Sequence, residues 1–486
     1  MGGSKRNIGG LAARRRRRMW IGFGLTLVLV LGIGAAGLIV VKPWTPEFRH
    51  GGLTIAEPPA PVRPFPQVAP APASAPAPSP AGIAAALAPV IANPDLGAFA
   101  GMVTDADSGT TLWSGDAARP MIPSSTAKIL TTAAALLALP SDHRVSTKVV
   151  AGATPNELVL VGGGDPTLTA QPDGKGYYPN GPRLSDLVTQ IRSSGRAVDT
   201  IIVDTSAYTG PTMAQGWFAI DVPEGSIAPI DPVMIDGGRL DPLVEYSPRT
   251  ETPALDAGRR LATELGLDPG RVRIGNAASG AVEVAKVSSA PLRDRLRDMM
   301  VHSDNVLAET VGREIALATG NEPSFTGAVA AISATLGNAG FDLSGMDMHD
   351  SSGLSVDDRV PAQMLATILA TAARPVGDAL RTPTDTKARP ADDRLAAMLA
   401  PLLDDLPVAG ATGSLTSRYV TQNRGGAGWV RAKTGTLSVA STLVGYVLDR
   451  DGRVLTFALM SNDRPPEVSR PALDAIAGTL RNCGCS

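Results

Sequence analysis

Hydrophobic and polar positions divide this chain into stretches of different period. From Met19 to Val41, MWIGFGLTLVLVLGIGAAGLIVV, 23 residues pass without a charge, directly after the five arginines Arg14 to Arg18. At about 1.5 Å per residue such a helix reaches about 34 Å, enough for a hydrocarbon core of roughly 30 Å. The arginines keep the preceding end cytoplasmic and send everything after Lys42 outward. The run predicts a retained membrane anchor, with cleavage near GIGAAG as the alternative. Beyond it, the alternating Pro and Ala of residues 57–82 cannot make a packed core and predict an extended, semi-rigid spacer.

Globular patterning begins near Ile83. Two apolar runs around DADSG in GAFAGMVTDADSGTTLWSG predict a hairpin, and PSSTAKILTTAAALLAL predicts a helix that starts at Ser125 and ends before Pro140. From Ser146 to Ser288 the texture changes to short strands such as TKVVAG, ELVLVGG and DTIIVDTS, with helices over LSDLVTQIRSSG and ALDAGRRLATELG. Helices return after Ser289, in PLRDRLRDMMVHSDNVLAETVGREIALATG and near Pro361 to Ala373. STLVGYVLDRDGRVLTFALMSND predicts a closing antiparallel hairpin around Arg-Asp-Gly. The pattern gives an α/β (α+β) fold in which an antiparallel sheet joins the first hairpin to the last, is flanked by helices, and is interrupted by an inserted strand-rich domain.

Composition adds two exclusions. With 44% hydrophobic residues in 486, the chain can bury a large core, and the net charge of −2 hides a basic start: the first eighteen residues carry seven basic and no acidic side chains. The rest is acidic, which excludes nucleic acid as a partner, since phosphate binding needs a basic face. The only cysteines, Cys483 and Cys485, lie one residue apart in the tail. They form no zinc set with a histidine and no disulfide framework for the fold, which leaves a local disulfide or redox role. His50, His143, His302 and His349 show no metal-ligand spacing, so no metal and no cofactor is expected.

The chemistry lies in three short motifs. Ser125 stands three residues before Lys128, the only such pair in the chain, and both would share one helix face. Ser303 and Asn305 form the only Ser-x-Asn, and Lys433 to Gly435 the only Lys-Thr-Gly. A serine hydroxyl needs an adjacent base, which Lys128 can be only when neutral. Lowering a lysine from about 10.4 to about 7–8 takes on the order of 4 kcal/mol. Burial and a second cation both act that way, and Lys433 is the candidate cation. Ser303 could pass the proton to a leaving amine, and Asn305 could hold a substrate amide through both halves of its carboxamide. Backbone N–H groups of Ser125 and Thr436 are the candidate oxyanion donors.

In this order SxxK, SxN and KTG form the signature shared by serine β-lactamases and penicillin-binding proteins. The chain resembles the low-molecular-mass class C penicillin-binding proteins, the D-alanyl-D-alanine carboxypeptidase/endopeptidase branch (peptidase S13-like). Ser125 and Ser303 lie 178 positions apart, as the branch's large insertion requires. GGGDPTL (Gly162 to Leu168), DSSGLS (Asp350 to Ser355, where DGSGLS is more usual) and LPVAGATGSLTSR (Leu406 to Arg418) fit as well. The resemblance implies a serine β-lactamase/transpeptidase-like fold and an acyl-enzyme on Ser125 with Lys128 as base. Ser303 and Asn305 are then proton relay and substrate holder, and Lys433 with Thr434, Gly435 and Thr436 receives the substrate's terminal carboxylate. Asp221, in GWFAID, is the candidate partner of the diamino acid's free amine, against a reading as a solvated turn aspartate. Asp165 is read as structural. The insertion is short for the branch, so one substantial inserted domain is expected.

The implied activity is hydrolysis of D-Ala-D-Ala ends of peptidoglycan stem peptides, with D-Ala cross-links as further substrates and β-lactams as inhibitors. A β-lactamase would need a deacylating glutamate, and a non-catalytic cell-wall scaffold should have lost a motif member; neither condition is met in the sequence. The resulting organisation is a basic cytoplasmic tail 1–18, anchor or signal 19–41, linker 42–82, catalytic domain 83–145, inserted domain 146–288, and catalytic domain again 289–486. The catalytic part is expected outside the cell membrane, held by the single N-terminal helix.

Overall fold

The computed structural model describes Trp20 and residues 29–33, 35–36, 38–40, 75–375 and 391–485. The chain forms two units, Met1–Pro70 and Ala71–Ser486. In the first, the described residues are helical. No helix among the described residues is long and apolar enough to cross a membrane. Much of the 19–41 run, all of the 1–18 tail and most of the 42–82 linker lie outside the described residues.

In the second unit, regular structure starts with the helix Pro80–Ile91, three residues before the apolar pattern does. The reason is local: Ser79 Oγ accepts the Gly82 N–H at 3.0 Å, and Pro80 at the first helical position has no N–H to satisfy. The C-terminal cysteines are joined in a disulfide, and the Cys485 carbonyl accepts the Ser79 N–H at 2.8 Å. The tail thus secures the first turn of the folded unit.

The main sheet has five strands in the order Arg431–Leu437, Ala440–Leu448, Val454–Asn462, Ala98–Asp105, Thr111–Gly115. Every neighbouring pair is antiparallel, and Ala98 lies opposite Asn462, so the first hairpin and the last share one sheet. The strand Val454–Asn462 is covered on both faces. Leu455, Phe457 and Leu459 meet Leu473, Ile476 and Leu480 of the helix Pro466–Asn482, together with Ile83 and Leu87. Ala458 and Met460 meet the opposite core, built on Ile129, Leu130, Leu307, Val311 and Leu365. Each such buried side chain contributes about 1.5–3 kcal/mol relative to exposure.

A second sheet spans Ser146 to Ser288, with strands ordered Glu283–Ser288, Ser146–Ala151, Glu157–Val161, Thr200–Asp204, Arg273–Ile274. Its first two pairings are antiparallel and its last two parallel. The parallel pairs follow from the helices Leu184–Ser193 and Pro253–Leu265, which provide the crossovers that parallel neighbours require. Both helices cover the sheet through Leu187, Ile191 and Leu261.

Two local breaks shape the cleft. The helix expected from Ser125 instead starts at Lys128, with Ser124–Ala127 forming a 3₁₀ turn ahead of it. Ser124 takes the left-handed conformation (φ 48°), which no α-helix accommodates. Helices Leu292–His302 and Asn305–Ala318 are separated at Ser303, also left-handed (φ 58°), and Asp304 caps the second by accepting the Leu307 N–H at 2.9 Å.

Candidate active site

The strand Arg431–Leu437 is an edge of the main sheet, and it runs beside the 3₁₀ turn that carries Ser125. Gly435 permits this approach: a Cβ there would stand 2.1 Å from Thr442 Oγ1 and 2.8 Å from both the Pro123 carbonyl oxygen and Ser124 Cβ. Along the resulting groove lies a cleft of about 1050 Å³ lined by Ser125, Ser303, Asn305, Thr434, Thr436 and Asp221. The three motifs, far apart in sequence, therefore meet at one cleft.

Lys128 lies beneath it, fully buried. Its Nζ is 2.6 Å from Asn305 Oδ1, 2.9 Å from the Ser352 carbonyl oxygen and 3.1 Å from Ser125 Oγ. The first two are acceptors only and take one N–H each. The third position on nitrogen faces the Ser125 hydroxyl; in the neutral amine it is the lone pair, and the serine O–H donates to it. Burial lowers the lysine from its ordinary value to about 8, while Asp350, Glu309 and Asp304 pull it back up.

Lys433 is also fully buried, with Nζ 2.8 Å from Ser303 Oγ and 2.9 Å from the Thr434 carbonyl oxygen. Burial and a second cation, Lys433, are the two causes expected to lower Lys128, and burial is the leading one. Lys433 is itself pushed well below the ordinary lysine range, first by burial and then by the charge on Lys128.

Asn305 is braced before any substrate arrives. Its carboxamide is already engaged at both ends, Oδ1 accepting from Lys128 and Nδ2 donating to the Ser226 carbonyl at 2.9 Å. One lone pair and one N–H remain for a substrate. Asp304, between the two motif residues, is buried against Arg239 (3.0 Å) and accepts from the Tyr178 hydroxyl (2.9 Å). Burial pushes its carboxyl up, but Arg239 and Arg249 outweigh this and hold it at about 2.

Thr434 shares a 2.6 Å hydrogen bond with Ser414, and Thr436 Oγ1 accepts from Arg470 Nε at 3.2 Å. Asp221 sits in the short turn Ala219–Asp221, where its Oδ2 accepts the Phe218 N–H at 2.8 Å. It therefore both caps its own turn and lines the cleft. Asp165 accepts from the N–H (2.9 Å) and hydroxyl (2.6 Å) of Thr167 and orders its own loop.

Several supporting residues were not identified by sequence reasoning. DSSGLS carries no role legible in the sequence; its Asp350 accepts the N–H groups of Ser352 (3.1 Å), Gly353 (2.6 Å) and Ser355 (2.8 Å) and the indole N–H of Trp217 (2.7 Å). That loop presents the Ser352 carbonyl to Lys128. Ser351, where glycine is more usual, packs against Gly312, at which a Cβ would lie 2.1 Å from Ser351 Oγ. Ser414 lies in the stretch Leu406 to Arg418. Arg239 and Arg470 stand in no motif, and only their positions in space bring them to the cleft.

Comparison with known proteins gives the family. The chain matches the D-Ala-D-Ala carboxypeptidase 3 (S13) family over residues 83–248, 242–382 and 390–483. It is 46% identical over 479 residues to carboxypeptidase DacB of Mycolicibacterium smegmatis, covering 97% of this chain and 98% of that one. It is 47% identical over 443 residues to carboxypeptidase Rv3627c of Mycobacterium tuberculosis, covering 90% and 92%. Its fold is similar to that of penicillin-binding protein 4 from Haemophilus influenzae, with TM-score 0.64 at 19% identity over 79% of this chain and 96% of that chain. On these matches the chain belongs to the D-Ala-D-Ala carboxypeptidase 3 (S13) family.

Proposed function

We propose that this enzyme is a serine-type D-Ala-D-Ala carboxypeptidase that works on peptidoglycan stem peptides through an acyl-enzyme on Ser125. The observation that carries the reading is the hydrogen-bond arrangement of Lys128, whose two acceptors leave its third position for the Ser125 hydroxyl. Ser125 Oγ attacks the carbonyl carbon of the penultimate D-alanine while its proton moves to Lys128 Nζ. The tetrahedral oxyanion is met by the Ser125 and Thr436 backbone N–H groups. When the C–N bond breaks, Ser303 gives its proton to the departing D-alanine amine and is reprotonated from the lysine pair. Water, deprotonated by the same lysine, then resolves the ester and regenerates Ser125. The terminal carboxylate is received by Thr434 and Thr436, with Lys433 below and Arg470 beside them.

The cleft is far larger than a terminal dipeptide needs, which favours cross-linked stems as further substrates. Asp221 is then the candidate partner of the diamino acid amine. The acidic bulk of the chain and the seven basic residues ahead of the apolar 19–41 run support an exported enzyme held at the membrane. Cell fractionation with external protease tests the location; a cytosolic, protected catalytic unit would refute it.

Incubation with penicillin should leave a long-lived adduct mapped by mass spectrometry to Ser125 and absent in Ser125→Ala. Defined monomeric muropeptides should lose one D-alanine, and dimers should be cleaved. Rapid penicillin turnover with no adduct would indicate a β-lactamase, and no reaction with either substrate would indicate a scaffold.

A further inference from the structure

Arg239 lies in the stretch between the first two motifs, 64 positions before Ser303, and it belongs to no recognised pattern. Its guanidinium nevertheless reaches the middle residue of the second motif. Arg239 Nη2 donates to Asp304 Oδ2 at 3.0 Å, with the side chains 2% and 3% exposed. Its Nη1 donates to the Tyr178 hydroxyl at 3.1 Å, and that hydroxyl donates to the same Asp304 oxygen at 2.9 Å. The guanidinium carbon stands 3.5 Å from the ring centroid of Tyr177, whose ring meets His302 edge-on at 5.8 Å. Arg239 is therefore held directly by Asp304, the residue after Ser303, and by the ring of Tyr177, which in turn packs on His302, the residue before Ser303.

Asp304 transmits this hold in two directions. Its Oδ1 caps the helix that begins at Asn305, fixing the carboxamide that accepts from Lys128. Its backbone follows Ser303, whose left-handed conformation costs roughly 1–3 kcal/mol and persists only where the surroundings impose it. Ser303 Oγ is the group within 2.8 Å of Lys433. Asn305 receives a second brace from the same part of the chain, the Ser226 carbonyl.

We propose that Arg239 is a positioning residue for acylation, locking Asp304 so that Ser303 and Asn305 stay aligned with Lys433 and Lys128. The stretch that carries the second sheet thus does more than wall the cleft: it sets the geometry of the proton relay. The inference rests on the acyl-enzyme reading above.

The test compares wild type, Arg239→Gln, Arg239→Lys and Tyr178→Phe for thermal midpoint, rate of Ser125 acylation by a fluorescent penicillin, and kcat and KM for D-alanine release. Arg239→Gln should slow acylation and kcat about 100-fold, the scale of a misaligned site, with KM changed less than about threefold. Arg239→Lys, which can still donate to Asp304, should recover to within about tenfold of wild type. Tyr178→Phe, which removes one of two bonds to the same oxygen and keeps the charge, should slow acylation about fivefold at an unchanged midpoint. Arg239→Gln acylating at the wild-type rate, or losing rate only in proportion to its folded fraction with no recovery in Arg239→Lys, overturns the inference. If Arg239→Gln does not fold, Tyr178→Phe decides, and a wild-type rate there is the overturning result. Absence of an adduct in wild type would instead overturn the acyl-enzyme reading itself.

Discussion

Two clusters of buried charge in this protein are built on opposite rules. Between the helices Leu292–His302 and Asn305–Ala318, Arg295 is 1% exposed and forms a two-pronged ion pair with Glu314, which is 2% exposed. Around Ser125, Lys128 and Lys433 are equally buried, yet among the described residues neither makes an ion pair with a carboxylate; their partners are amide and peptide oxygens and hydroxyls. The outcomes diverge. For Arg295, burial acts downward but Glu314 outweighs it and the arginine is pushed up, whereas both lysines are pushed down. A charge that holds helices together is given its counter-ion, while the amines proposed to accept a proton are deprived of one.

The sharpest way to break this comparison is Lys128→Met. Acylation of Ser125 by a fluorescent penicillin should fall on the order of 10⁴–10⁶-fold, because the hydroxyl loses its base. The same variant should be more stable at pH 7, by up to about 3 kcal/mol less the lost hydrogen bonds, since lowering a lysine by tenfold in proton affinity costs the fold about 1.4 kcal/mol. Urea unfolding reads the second effect; a variant that is both active and destabilised would refute the contrast. Arg295→Met should do the reverse. It leaves Glu314 buried and unpaired, lowering stability by about 3–5 kcal/mol in urea, while the fraction that remains folded acylates within about threefold of wild type.

The pH dependence separates the clusters as well. Lys128 sits near 8 when folded against 10.5 as a free side chain, so the unfolded chain binds the extra proton between these values. Its destabilising contribution is complete below pH 8 and fades as pH rises to about 10.5. Glu314 is lowered from 4.5: burial pushes it up, but Arg295 and His143 outweigh this, so its contribution is present above pH 4.5 and lost as pH falls. The urea midpoint difference between wild type and Lys128→Met should therefore shrink on the alkaline side, and that between wild type and Arg295→Met on the acid side. Acylation by wild type should rise about tenfold per pH unit up to about 8 and then level.

Gly435→Ala tests the approach of strand and turn rather than charge. The added carbon must displace Thr442 Oγ1 and the Pro123 carbonyl, at a cost of about 1–3 kcal/mol in urea and at least a tenfold loss in acylation. The smallest effect is expected at the exposed pair Lys175–Asp173, where Lys175→Ala should change stability by less than about 0.5 kcal/mol and leave acylation unaltered. A larger effect there would mean that surface pairing, too, contributes to the contrast.

The sequence revealed the hairpins 98–115 and 440–462, because alternation and turn residues are local properties, and it singled out Ser125, Lys128, Ser303, Asn305 and Lys433 through the rarity of their spacings. It named burial among the causes that lower Lys128, and burial leads there. The 3₁₀ turn Ser124–Ala127 ahead of Lys128 lies where the edge strand and turn pack closely, a contact between residues about 310 positions apart that no local pattern encodes. The second sheet is mixed because of where its crossovers lie, which strand composition does not encode.

What the sequence determined by itself is the set of candidate groups: a serine with a lysine one turn on, a second serine with an asparagine, and a second lysine are singled out by residue type, spacing and order. What the tertiary structure decided is their state. Burial lowers both lysines, Asp350 orders the loop that carries an acceptor to Lys128, and Arg239 reaches Asp304 from a distant part of the chain. Desolvation and distance are properties of packing, and no local pattern of residues contains them.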